Sequence, residues 1–243
     1  MDSLIILQHS PVYTLGRRGD VHNFLFSQNR ETEGLLKRGG GAAQSAENPA
    51  NMGIGRAGGS DFHHIYHSII HANPDYSESS DASLLFHPSN SALLLRVDRG
   101  GDVTFHGPGQ VTCYPILDLS GPGYKKDLHW YLASVEDVVI ETLGEFGLRG
   151  ERDPRGTGVW VGGRKIAQVG IGCSGWVTKH GFAVNVKKSC MPYFGEIVPC
   201  GIDEKEGGVV CLEDVIGEEL DIATVDEAIR RSFTKVFGVE MQT

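Results

Sequence analysis

Gly158-Val159-Trp160-Val161-Gly162-Gly163-Arg164-Lys165-Ile166-Ala167-Gln168-Val169-Gly170-Ile171-Gly172 sets a glycine pair between two apolar runs. Both central positions of a two-residue primed turn need φ > 0, which glycine alone reaches without strain. The stretch therefore predicts an antiparallel hairpin. Its turn fixes the alternation on the second arm: Lys165, Ala167, Val169 and Ile171 on one face, Arg164, Ile166, Gln168 and Gly170 on the other. Lys165 is thereby placed with apolar neighbours. If that face is interior, desolvation disfavours the ammonium and moves the lysine toward acting as a base; if it lies at a strand end, the amine extends to water.

Outward from the hairpin, Leu4 to Leu7, Leu93 to Val97, Val111 to Leu117 and Phe182 to Val186 are short, apolar or alternating, and bounded by Gly or Pro, so they too read as strands. Two segments read as helices. Asp127 is a natural N-cap for an apolar periodicity that ends at Gly147, and Thr224 to Glu227 has the form of a capping box ahead of Ile229, Phe233, Val236, Phe237 and the stop Gly238. Strands outnumber helices and adjoin through tight turns. The expected fold class is α/β in the α+β sense, with a mixed, largely antiparallel sheet flanked by helices.

The 243 residues carry 22 Lys and Arg against 31 Asp and Glu, a formal charge of −9. That excess of acid argues against a general nucleic-acid binder, whose phosphate contacts need a clustered basic surface. Basic doublets remain at Arg17-Arg18, Lys125-Lys126 and Lys187-Lys188. No apolar run approaches the roughly 18 residues of a membrane span. The five cysteines, at 113, 173, 190, 200 and 211, form no C-x-x-C pair, which speaks against a disulfide scaffold or zinc knuckle. Met1-Asp2-Ser3 shows no basic leader, so the chain is expected to be intracellular: mitochondrial if eukaryotic, otherwise cytoplasmic.

Residues 37–60 contain no aromatic side chain, and the loop-like composition continues nearly to Leu93, so about 34–90 reads as a low-complexity insertion within one domain spanning 1–243. Within it His63, His67 and His71 fall on one helical face at i, i+4, i+8. Such a face suits zinc, but no carboxylate or Cys other than Asp61 stands at ligand spacing, and the reading taken is an amphipathic helix with no metal.

Of the 33 glycines, 21 lie between Arg99 and Cys211, which directs attention to the segments there. Arg99-Gly100-Gly101-Asp102-Val103-Thr104-Phe105-His106-Gly107-Pro108-Gly109-Gln110 reads as a polar, Gly-rich binding loop between two strands. Its glycines let backbone N–H groups approach a ligand, and Arg99, Thr104, His106 and Gln110 offer donors. The spacing is neither a phosphate-binding loop ending in Gly-Lys-Ser/Thr nor G-x-G-x-x-G. Among the cysteines, Cys113 alternates within a strand as core. Cys190 follows two lysines that favour a thiolate, and Cys200 sits in Pro199-Cys200-Gly201, open to close approach. Residue chemistry alone does not choose between 190 and 200.

The segments HSPVYTLGRRG (9–19), RGGDVTFHGPGQ (99–110), GVWVGGRKIAQVGIG (158–172), HGFAVNV (180–186) and PCGI (199–202), in this order, resemble the lipoyl(octanoyl) transferase family. The resemblance implies a domain like the catalytic module of lipoate and biotin ligases. It also implies transfer of octanoyl from octanoyl-acyl carrier protein to a lysine of lipoyl domains, those of 2-oxoacid dehydrogenase complexes and the glycine cleavage H protein, with no cofactor and no ATP. It selects Cys200 as the acyl-accepting nucleophile and Lys165 as the group that lowers its pKa and handles protons. It assigns the acyl pocket to Arg99 through His106, to Gln168-Val169-Gly170 and to Gly181-Phe182-Ala183. Backbone amides near Lys165 to Gly170 or in the Arg99 loop are candidates for the oxyanion. Acidic partners would make Arg17, Arg18, Lys187 and Lys188 the docking residues.

The chain departs from the family in beginning almost at HSPVYTLG, in the 34–90 insertion, and in Gly208-Val209-Val210-Cys211-Leu212 where the family tends to have Gly-Val-Thr-Ser-Leu. Less hydroxyl support for the Cys200 loop is therefore expected, with Cys211 as a second thiol beside it. Two other readings stay open: an ATP-dependent ligase of the same fold, and an inactive acyl-carrier binder.

Overall fold

The computed structural model describes residues 2–19, 23, 85–87, 90–198 and 207–239. Most of the 34–90 segment, with His63, His67 and His71, and the candidate nucleophile Cys200 lie outside the described residues. In chain order the strands are β1 (Ser3–Leu7), β2 (Val12–Leu15), β3 (Leu85–Phe86), β4 (Leu93–Arg96), β5 (Val103–His106), β6 (Gln110–Ile116), β7 (Glu151–Asp153), β8 (Gly156–Val161), β9 (Arg164–Ser174) and β10 (Val177–Asn185). The helices are α1 (Leu128–Glu145), α2 (Leu212–Ile216) and α3 (Ile222–Phe237). A 3-10 segment, Lys188–Glu196, follows β10. No helix among the described residues is long and apolar enough to cross a membrane.

Six strands form one sheet in the order β1-β6-β10-β9-β8-β7, with every neighbouring pair antiparallel. Four form a second, β3-β4-β2-β5, in which only β2 and β4 run parallel. The fold class is the expected one, α+β with largely antiparallel sheets flanked by helices. The turn between β8 and β9 has φ of +57° at Gly162 and +76° at Gly163, both positive as a primed turn requires.

Helices α1 and α3 cover one face of the six-stranded sheet. Asp127 caps α1, its carboxylate accepting from the N–H groups of His129 (2.8 Å) and Trp130 (3.2 Å), worth about 1 kcal/mol. Val135, Val138, Val139 and Leu143 of α1 and Ile229 and Phe233 of α3 bury against Val111 and Cys113 of β6, Ala167 and Val169 of β9, and Phe182 and Val184 of β10. Each large side chain removed from water there contributes about 1.5–3 kcal/mol. Because strands alternate, this packing sends Gln110, Thr112, Tyr114, Gln168, Gly170, Gly181, Ala183 and Asn185 to the opposite face.

Two expectations are corrected. The expected capping box at Thr224 is interior to α3, which starts two residues earlier because the Asp221 carboxylate accepts from Ala223 N–H at 3.2 Å. The expected binding loop 99–110 contains β5, whose four residues are all buried and pair with β2. Val103 and Phe105 of β5 belong to a second core with Tyr13, Leu15, Cys190 and Phe194, where Tyr193 stacks on Phe105 at 4.2 Å.

Candidate active site

Strict alternation places Lys165 with Ala167 and Val169, and the structure overturns that. Val159 pairs with Ala167 but Trp160 pairs with Lys165, so Ile166 is an extra residue on β9 and the register slips by one. A bulge of this kind moves every residue before it to the other face. Ile166 enters the helix-side core, and Lys165 joins Trp160 and Gln168 on the face away from the helices. There its side chain is 1% exposed and its Nζ lies 4.9 Å from the centre of the Trp160 ring.

The lysine stem crosses β8 where no side chain stands. A Cβ on Gly158 would fall 2.6 Å from Lys165 Cε, and the residue has φ of +135°, so glycine is required on both counts. The Gly158 N–H donates to Glu136 Oε1 (2.9 Å), a buried carboxylate of α1 that also receives Arg152 Nε (2.7 Å). On the other edge of β9, Lys165 N–H donates to Gly208 O (3.1 Å) and Val210 N–H donates to Lys165 O (2.9 Å). Asn185 Nδ2 donates to Val210 O (3.0 Å), and Gln110 Nε2 donates to Asn185 Oδ1 (2.8 Å), both within the interior. The chain just beyond the region of Cys200 is thus fastened to Lys165 through its main chain.

Arg99 is 6% exposed and ties the two sheets. Its Nη2 donates to Thr14 O (2.7 Å) and Thr14 Oγ1 (2.8 Å) of β2, and the Gly100 N–H donates to Ile171 O (2.9 Å) of β9. The stem passes over Gly170, where a Cβ would meet Arg99 Cδ at 3.1 Å. Gly101 has φ of +91°, and the Asp102 carboxylate accepts from Val103 N–H (2.8 Å). Thr104 and His106 alternate toward the six-stranded sheet, with the His106 ring 5.7 Å from that of His9. Among the described residues, Thr104 Oγ1, Thr112 Oγ1 and both amide atoms of Gln168 are buried without a hydrogen-bond partner. Leaving such groups unmet costs about 1–3 kcal/mol each, which marks this region as built to receive polar atoms.

Of the residues singled out from the sequence, the structure therefore gathers Arg99, Gly100, Thr104, His106, Lys165, Gln168, Gly170, Gly181 and Ala183 around the two facing sheets. Val169 and Phe182 send their side chains into the helix-side core and Val103 and Phe105 into the second core, leaving only main chain to contribute. Trp160, Glu136 and Asn185 escape a reading by spacing. Asn185 alone carried a signal, an amide in an otherwise apolar strand.

Cys190, one of two candidates on sequence chemistry, is corrected: it is fully buried, its thiol donates to Lys187 O (3.0 Å), and burial pushes its pKa up to about 12. The lysines that favoured a thiolate face carboxylates instead, Lys187 with Glu213 and Lys188 with Asp214, each at 3.6 Å. Burial likewise raises the Cys211 thiol to about 11, and Cys211 Sγ donates to Asp214 Oδ2 at 3.3 Å. Arg17 pairs with Asp98 at 3.1 Å.

Burial holds His9 down to about 4, and burial followed by the Arg99 charge holds His180 down to about 4. His106 is shifted well below its ordinary value by burial, then by His9 and Arg99. Below about 6.5 the unfolded chain protonates these rings while the folded chain does not, so the unfolded state binds more protons and stability falls with pH. Folding stability is expected to be full above that value and to drop by a few kcal/mol as pH falls toward about 4. Urea midpoints between about pH 7 and pH 4.5 check this, and a flat series would contradict it.

Residues 71–234 match the family described as lipoyl protein ligase A/B catalytic domain. The chain is 47% identical over 165 residues to an octanoyltransferase of Gloeobacter violaceus, covering 68% of this chain and 71% of that protein. It is 36% identical over 238 residues to one from Rubrobacter xylanophilus, covering 98% and 80%. In structure it is similar to a bi-partite lipoate protein ligase from Thermoplasma acidophilum, with TM-score 0.58 and 11% identity over 99% of this chain and 73% of that one. It is also similar to a lipoate-protein ligase A bound with ATP, with TM-score 0.55 and 13% identity over 99% and 74%. At these identities the structural likeness is one of fold.

Proposed function

The chain belongs to the octanoyltransferase family, and from that premise we propose that it moves an octanoyl group from octanoyl-acyl carrier protein to a lysine of a lipoyl domain through a thioester on Cys200. The observation that supports this reading is the fastening of Gly208 to Val210 along both main-chain groups of the buried Lys165, which returns the chain following Cys200 to the one lysine on the site face of β9.

The Cys200 thiolate attacks the carbonyl carbon of the carrier thioester, a C–S bond to Cys200 forms as the carrier C–S bond breaks, and the carrier sulfur leaves as thiol with a proton from the Lys165 ammonium, which becomes the neutral amine. The acceptor amine then attacks the new thioester. A C–N bond forms, the C–S bond to Cys200 breaks, and the amine proton passes to Lys165 or the leaving sulfur. An amide is more stable than a thioester, so the overall transfer runs downhill without ATP. The thioester carbonyl and the amide groups of a carrier arm supply partners for Thr104, Thr112 and Gln168, and Arg99 fixes the geometry of that wall. Docking of acidic partners falls most naturally to Arg18, which is exposed, since Arg17, Lys187 and Lys188 are engaged with Asp98, Glu213 and Asp214.

Intact-protein mass spectrometry after mixing with octanoyl carrier protein tests the reading. An octanoyl adduct that disappears in Cys200→Ser is expected. No adduct on folded wild-type protein would refute the thioester route, and transfer from free octanoate that depends on ATP would replace it with ligase chemistry.

A further inference from the structure

We infer that Trp160 is a positioning residue for Lys165, its indole face holding the side chain across β8 and favouring the ammonium form while the neighbouring chemistry needs a cation. The inference rests on the reading above that Lys165 acts in acyl transfer. Three observations lead to it. The Nζ lies 4.9 Å from the ring centre, inside the distance at which a ring face attracts a cation. Ring and lysine are 0% and 1% exposed, so water screens little of the attraction. Gly158, two residues before Trp160 on the same face, leaves the space through which the lysine stem reaches the ring.

Packing alone does not call for an indole here. Among the described residues Trp160 Nε1 is buried without a hydrogen-bond partner, a cost that phenylalanine or leucine would avoid. Its π face offers what neither the N–H nor the volume explains. Burial works the other way, since a lysine out of water loses its proton more readily. The ring face offsets that loss. Among the described residues, the charged groups on the neighbouring elements have partners of their own: Glu136 of α1 with Arg152, Asp153 of β7 with Arg155, and Asp214 of α2 with Cys211 and Lys188; Arg164, beside the lysine, is exposed. Cys200 lies outside the described residues. An ammonium at this place lowers the cost of forming a thiolate near it and carries a proton for the leaving sulfur.

Mono- and difluorinated tryptophan incorporated into the full chain test the ring, because fluorine drains charge from the π face with little change of shape. The pH dependence of kcat/KM for octanoyl transfer from carrier to lipoyl domain is the readout. Activity that needs the ammonium is lost as pH rises through the lysine's pKa, so the basic limb is expected to move to lower pH with each step of fluorination, by up to about one pH unit. Trp160→Leu should move it furthest and Trp160→Phe least, with KM for the lipoyl domain unchanged. Fluorination of Trp130 and Trp176 in a Trp160→Phe background should leave the limb in place. A limb indifferent to fluorination, yet lost in Lys165→Met, would overturn the role of the ring. A limb that survives Lys165→Met would overturn the reading of Lys165 itself, and this inference with it.

Discussion

Lys165→Met is expected to yield a folded protein whose octanoyl transfer is slowed at least about a hundredfold, the range over which a positioned proton-transfer group acts. Methionine matches the length of the lysine stem, passes over Gly158 without a branch, and adds no unpaired charge to a site where the native side chain is 1% exposed. The backbone bonds from Lys165 to Gly208 and Val210 do not depend on the side chain. Stability should therefore change by no more than about 1.5 kcal/mol, and the loss should appear in kcat. Lys165→Arg is not a conservative control, because a planar fork cannot occupy a space shaped by Trp160 and the Gly158 main chain. Steady-state transfer measured beside a urea melt separates the two effects. A Lys165→Met enzyme within about tenfold of wild type would remove the lysine from the chemistry.

That lysine also shows where a sequence stops being legible. The Gly162-Gly163 turn could be read because two adjacent positive φ values have essentially one residue solution. Asp127 and Gly147 could be read because the caps of α1 are local. The bulge at Ile166 could not: Lys-Ile-Ala reads equally well with or without a slip, and the choice is made by β8 across the sheet and by Gly208 to Val210 on the far edge. So the lysine was singled out while its face was wrong. β5 was hidden for a different reason. Val103-Thr104-Phe105-His106 alternates apolar and polar as a strand should, but glycines flank it on both sides and make the whole segment look like loop. Cys190 failed because nearness in sequence to Lys187 and Lys188 is not nearness of charge: both amines turn to the carboxylates at the start of α2. Arg99 and His106 were legible as residue types, but their pairing with Thr14 and His9 is long-range and belongs to the sheets.

Asn185→Ala is expected to be the most damaging change to the framework, lowering stability by about 2–4 kcal/mol. Its side chain is 0% exposed and spends one donor on Val210 O and its acceptor on Gln110 Nε2. Alanine removes both bonds at once and strands two buried groups that have no water to turn to, each at about 1–3 kcal/mol. Asn185→Asp should be no milder. Its oxygens still accept from Gln110, but neither can donate to Val210 O, and a carboxylate enters the interior. Because Val210 also donates to Lys165 O, loosening it loosens the edge of β9 that carries the lysine, and transfer should fall along with stability. A double-mutant cycle with Gln110→Ala isolates the side-chain bond. Once Asn185 is gone, Gln110 has already lost that partner, so the second change should cost at least about 0.5 kcal/mol less than it does in the wild type. Urea melts of the four proteins measure that coupling, and strict additivity would mean that Gln110 and Asn185 support the Lys165 edge independently.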